Sequence, residues 1–110
     1  MIQNTIAEIE ARIKQAESVR GENKSELLNL LSTLRSEIAE LSRTHGDQAQ
    51  SIAGFTNVSA HEAIRDEKNP ELLKLSLDGL ASSVEGFEKS HPRLVEIVNR
   101  ICVTLSNLGI

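Results

Sequence analysis

Apolar residues recur along this chain in steps of four and three. Ile2, Ile6, Ile9, Ile13 and Ala16 form one run, and Leu27, Leu31, Leu34, Ile38 and Leu41 a second. Leu73, Leu77, Leu80, Val84 and Phe87 repeat the pattern, as do Leu94, Val98, Ile101, Leu105 and Leu108. A mean spacing of ~3.5 residues is the seam of helices that pack at shallow angles. Each run is too short for a long coiled coil, so paired helical hairpins or an antiparallel bundle are expected. The segment 47–67 carries a stripe of small residues instead: Ala49, Ala53, Thr56, Ala60 and Ala63. It reads as one helix, or as a helix broken at Gly54 or at Thr56-Asn57-Val58. Ser76, Gly79, Ser83 and Gly86 form a second small stripe, and the two are expected to meet.

The punctuation between runs places the helix ends. Gly21 suits the position just past a first helix, where a left-handed φ costs glycine nothing. Asn23 with Glu26 reads as a capping box, and Asp47 with Gln50 as a similar start. Gly46 closes the second run, with Arg43 and His45 in its last turn. Asn69-Pro70-Glu71 is a cap, a first-turn proline and a first-turn acid. Ser90-His91-Pro92 breaks one helix and opens the next. Gly109 suits a left-handed end, with Ile110 resting on Leu105. The expectation is an all-α chain of four or five amphipathic helices, near 2–20, 23–45, 47–67, 70–90 and 92–108. They form a single domain: a hairpin over 1–45, a small-residue helix or linker over 46–68, and a C-terminal hairpin over 69–110.

Glu26-Leu27-Leu28-Asn29-Leu30 resembles Glu71-Leu72-Leu73-Lys74-Leu75 at an offset of 45, whereas the seams superimpose at 46. That mismatch reads as shared helical grammar and not as a duplicated module.

Composition narrows the function classes. The chain has 110 residues, 39% of them hydrophobic and 25% charged, with a net charge of −4. A packed core is within reach, and a nucleic-acid partner is excluded by charge sign and by the lack of a basic patch. There is no tryptophan or tyrosine, and Phe55 and Phe87 are the two aromatic residues, so base-stacking platforms are absent. No apolar run reaches the ~20 residues of a membrane span, and the N-terminus lacks the pattern of a secretory signal. A single cysteine excludes an internal disulfide. A cytoplasmic location is expected.

Candidate chemistry is sparse. His61-Glu62-Ala63-Ile64-Arg65 begins like a zinc-protease helix but has Arg65 where the second histidine must stand. No metal site, cofactor site or catalytic residue is expected. Should the chain be an enzyme or a ligand-binding bundle, His91 and Cys102 are its reactive groups. Cys102, between Ile101 and Val103, otherwise reads as a buried small hydrophobe.

Extra apolar residues flank the seams: Leu28 and Leu30, Leu72 and Leu75, Val95 and Ile97. They imply either a central place in the bundle or a surface kept for another chain. The main expectation is a non-enzymatic helical interaction or self-assembly module, a homodimer or the holder of another protein partner. The alternative is a small client-specific chaperone or regulator.

The C-terminal part carries a more specific signal. Phe87-Glu88-Lys89-Ser90-His91-Pro92-Arg93-Leu94, followed by Leu105-Ser106-Asn107-Leu108-Gly109-Ile110, resembles the small bacterial family catalogued as domain of unknown function 4404. The resemblance implies a small bacterial protein and carries over no activity. The positions that bear it are Phe87, Ser90, His91, Pro92, Leu94, Leu105, Gly109 and Ile110.

Overall fold

The computed structural model describes residues 2–109, and within them the chain is all-α. Five helices follow in order: α1 (Ile2–Gln15), α2 (Gly21–Leu41), α3 (Gly46–Ile64), α4 (Pro70–Ser83) and α5 (Pro92–Leu108). The seam positions make the core. Ile6, Ile9 and Ile13 of α1, Leu27, Leu34, Ile38 and Leu41 of α2, and Leu94, Val98, Ile101 and Leu105 of α5 are fully buried.

The small-residue segment is an unbroken helix and the hub of the fold. α3 touches all four other helices, and its most extensive partner is α4. Ala49, Ala53, Thr56, Ala60 and Ala63 are all buried, and Thr56 Oγ1 donates to the Ile52 carbonyl. Small side chains let four neighbours approach one axis. On α4, Ser76 and Ser83 are buried, each donating its hydroxyl to the carbonyl three residues back. Gly79 meets the ring of Phe55, and a Cβ built there would overlap that ring. Gly86 is not part of this stripe, because it lies beyond α4.

Several helix ends differ from the expected ones. α1 stops at Gln15, and residues 16–20 turn so that Val19 is buried. Gly21 has the left-handed φ of +44°, but it opens α2 instead of following α1. Asn23 therefore lies inside α2 and caps nothing, since Arg20 stands at the N-cap without a side-chain bond. α2 ends at Leu41, and α3 starts at Gly46 with His45 as its N-cap, leaving Asp47 in the first turn. An acid there faces the positive end of the helix dipole. Asn69 does cap α4: its Oδ1 accepts from the Leu72 amide at 3.1 Å, with Pro70 following. α4 ends at Ser83, well short of 90, because Gly86 turns left-handed at φ +94°. The Glu88 carboxylate accepts from the Gly86 amide at 3.0 and 3.1 Å and fixes that turn. Pro92 opens α5 as expected. Gly109 has a φ of −84°, so freedom of φ is not its role there. A Cβ on Gly109 would overlap Leu73, so closeness is. The proposed contact of Ile110 with Leu105 lies outside the described residues.

The structure also resolves the mismatch of offsets. Four of the six buried positions of α2 (Leu27, Leu30, Leu34, Ile38) recur as buried Leu73, Ser76 and Leu80 of α4 and Val84 at its C-cap, shifted by 46. Those of α3 (Ala49, Ile52, Ala53, Thr56, Ser59, Ala60) recur in α5 as Leu94, Ile97, Val98, Ile101, Thr104 and Leu105, shifted by 45. Between the helices, Thr44-His45 corresponds to Ser90-His91. His45 has φ −133° and ψ 62°, and His91 has φ −137° and ψ 62°. One residue fewer in the first turn of α5 shifts the register. The α2–α3 unit and the α4–α5 unit are thus two versions of one helix–hydroxyl–histidine–helix motif. Their pairings exchange as a two-fold relation requires, α2 with α5 and α4 with α3. α1 breaks the relation by packing on α2 and α3 alone.

Candidate functional site

The expected flank residues separate into three groups. Leu30 and Ile97 are buried within the chain, where α2 and α5 meet. Leu28 and Val95 are partly buried against the core. Leu72 and Leu75 stand in solvent, 43% and 59% exposed. Two residues on α3 that the sequence left unassigned join them, Phe55 at 40% and Val58 at 48% exposed.

These four form one face. α3 and α4 are joined by a short turn, so they run antiparallel. Phe55 lies against Gly79. With the helices antiparallel, the register set by that contact puts Val58 level with Ser76 and Leu75, and Glu62 level with Leu72. Along α4, Leu72, Leu75 and Gly79 are spaced three and four apart and share a side. Together the four side chains expose on the order of 300 Å² of apolar surface, within the range of the largest patch on a typical monomer, which is often functional. The rim carries both signs. Lys74 Nζ meets Asp78 Oδ2 at 3.1 Å, and Arg65 Nη1 meets Glu62 Oε1 at 2.9 Å.

The internal repeat tells whether the fold itself requires this face. The positions equivalent to Leu72, Leu75 and Gly79 on α2 are Glu26, Asn29 and Thr33, and the α5 equivalents of Phe55 and Val58 are Arg100 and Val103. Glu26, Asn29, Thr33 and Arg100 border an 820 Å³ groove between α2 and α5, walled by Glu22 and Glu26 on one side and Arg93 and Arg100 on the other. The corresponding α2–α5 pairing carries polar residues at three of the four places of the exposed face, with Val103 the apolar exception. The apolar choice on α3 and α4 is not imposed by packing.

Phe87, Ser90 and His91 of the C-terminal motif gather with His45 at one end of the bundle. The ring of Phe87 lies edge-on to His45 at 5.4 Å and to His91 at 5.5 Å, and the two imidazoles are 6.3 Å apart. Each Nδ1 pairs with the preceding hydroxyl, Thr44 Oγ1 at 2.8 Å and Ser90 Oγ at 2.9 Å. The rings tie the α2–α3 turn to the α4–α5 turn. Leu94 and Leu105 are core, and Gly109 is the seat of Leu73. Among the described residues, no group of three or more His, Cys, Asp and Glu is placed to hold a metal ion. Cys102 is partly buried, its Sγ 3.9 Å from the Leu77 carbonyl. Burial, and then the nearby Asp78 carboxylate, push its thiol up to about 11. It is protonated at neutral pH and a poor nucleophile. Among the described residues, no helix is long and apolar enough to cross a membrane.

No curated protein and no solved structure matches the chain. A family model described as a domain of unknown function, DUF4404, matches residues 27–110. The match takes in most of α2 and all of α3, α4 and α5, that is, both copies of the internal motif, and leaves out α1. With its ring cluster, its buried Leu94 and Leu105 and its close-packed Gly109 all inside that span, the chain belongs to the DUF4404 family.

Proposed function

We propose that this protein is a non-enzymatic helical module that associates with a second copy of itself through the α3–α4 face. The observation that carries the reading is the contrast across the internal repeat. Phe55, Leu72 and Leu75 stand where the equivalent face has Arg100, Glu26 and Asn29, and the helix pairing is the same. Apolar residues that the fold does not need, exposed together, serve contact with another surface.

A second copy fits the face. A two-fold contact pairs a surface with itself, so the surface must carry both signs of charge. Lys74 and Asp78 flank Leu75 on α4 and can exchange partners between copies. Two faces of on the order of 300 Å² each offer ~15 kcal/mol of gross burial at ~25 cal/mol/Å². Association itself costs about 4–15 kcal/mol. The dimer is therefore weak and dependent on concentration.

Light scattering across a dilution series tests this. The expected mass rises from 12.1 kDa toward twice that value as concentration increases. Val58→Glu with Leu75→Glu, both on exposed positions, holds it at 12.1 kDa. A monomer at every concentration overturns the reading, as does a dimer that survives both substitutions.

A further inference from the structure

α1 lies on the α2–α3 unit, and its contacts define what that seat does. Ile6, Ile9 and Ile13 are fully buried in it. Glu10 pairs with Arg35 of α2 at 3.2 Å, and Arg12 donates to Asn57 of α3. Lys24 Nζ donates to the Lys14 carbonyl at 2.9 Å, closing the C-terminal turn of α1. The run of contacts, Glu10 with Arg35 and Lys14 with Lys24, makes α1 antiparallel to α2.

The repeat maps this seat onto the other unit. Leu27 and Leu31 become Leu73 and Leu77, Arg35 becomes Ala81, and Asn57 becomes Cys102. All four equivalents line an open groove between α4 and α5, with compartments of 710 and 310 Å³ that share Leu77, Asp78 and Ser106. Among the described residues no helix covers it, since α1 contacts only α2 and α3. Val103, at 61% the most exposed large hydrophobic residue of the described chain, lies along it.

We infer that the α4–α5 groove is a second helix seat, and that it takes an amphipathic helix of a partner protein in the manner of α1. The chemistry of the walls specifies that helix. Its apolar residues follow the i, i+3, i+7 spacing of Ile6, Ile9 and Ile13. At the places of Glu10 and Arg12 it is uncharged, because Ala81 and Cys102 have replaced Arg35 and Asn57. Its C-terminus lies toward the start of α4, where Lys68 and Lys74 border the groove. Lys74 is paired with Asp78, which also lines the groove, so Lys68 leaves the net positive charge that complements the negative end of a helix dipole. The occupant is not the α1 of another copy, because taking it would uncover the seat it left. The apolar floor of the seat is separate from the self-association face: Leu73 and Leu77 point to one side of α4, Leu72 and Leu75 to the other, and the rim residues Lys74 and Asp78 border both.

The probe is a fluorescent peptide of residues 2–20 carrying Glu10→Ala and Arg12→Ala, titrated with the full chain and followed by anisotropy. Saturable binding is expected, tighter than that of the unmodified 2–20 peptide. Ala81→Glu and Val103→Glu, both at exposed positions, each weaken it by at least about tenfold. Val58→Glu with Leu75→Glu leaves it unchanged, so this result is read apart from the self-association test. Absence of saturable binding overturns the inference. So does binding that Ala81→Glu and Val103→Glu leave intact, since the peptide would then be displacing α1 from its own seat.

Discussion

His45 and His91 cap α3 and α5 with nearly the same backbone angles, and their rings stand 6.3 Å apart in a triangle with Phe87. Equivalent positions of the two units thus meet each other. An edge-to-face aromatic contact contributes about 0.5–1.5 kcal/mol. His45→Ala and His91→Ala are each expected to lower stability by roughly that amount. Because both rings contact Phe87, the two losses should not add. A double-mutant cycle by urea denaturation checks this, and strict additivity would separate the rings energetically.

Two glycines sit under side chains with different freedom. Gly109 lies beneath Leu73, a buried residue that cannot move without disturbing the core. Gly109→Ala is expected to cost about 1–3 kcal/mol, the range for overpacking. Gly79 lies beneath Phe55, whose ring is partly in solvent and can swing aside. Gly79→Ala should stay within about 1 kcal/mol of the parent, helped by the better helix propensity of alanine. Thermal denaturation of the pair distinguishes them.

Ser59 is fully buried on α3, and its Oγ has no hydrogen-bond partner. Its equivalent, Thr104, donates to the Arg100 carbonyl. An unsatisfied buried hydroxyl costs about 1–3 kcal/mol, and alanine removes the group with little change of shape. Ser59→Ala is expected to raise stability by about 1 kcal/mol. Chemical denaturation midpoints measure it.

The Cys102 thiol has its ionisation raised from 9.0 to about 11 in the folded chain. Between those values the unfolded thiol loses its proton while the folded one keeps it, so the unfolded state gains and stability falls as pH rises. The stability difference between the parent and Cys102→Ala should shift in favour of the variant from pH 9 to pH 11. Below pH 8 the difference should be flat. Alkylation by iodoacetamide at pH 8 should be slower than for a cysteine in an unstructured peptide.

The elements themselves were legible because each rests on a local signal. Four isoleucine- and leucine-rich seams gave four helices, and Asn69-Pro70 gave the start of α4 to the residue. The ends of α1 and α4 were not legible. The apolar period runs on through Phe87, while α4 ends four residues earlier, at Ser83, where the turn held by Gly86 and the Glu88 carboxylate begins. Gly109 was identified, but for its φ, when the reason is the approach of Leu73. Of the candidate face, Leu72 and Leu75 could be read from their excess over the seam. Phe55 and Val58 could not, since their exposure depends on which side of α3 meets α4. The offsets of 45 and 46 read as shared helical grammar and not as a repeat, because a single residue's difference after His91 shifts the second half. Burial, backbone angles and helix pairing restore it.

The central claim is that Phe55, Leu72 and Leu75 serve association and not folding. The sharpest measurement gives that face the residues of its own counterpart: Phe55→Arg, Leu72→Glu and Leu75→Asn in one chain, examined by sedimentation equilibrium alongside thermal unfolding at a concentration where the parent is monomeric. The substituted chain is expected to stay monomeric at every concentration, with an unfolding midpoint close to that of the parent monomer. A collapse of the midpoint, or a dimer as tight as the parent's, would contradict it.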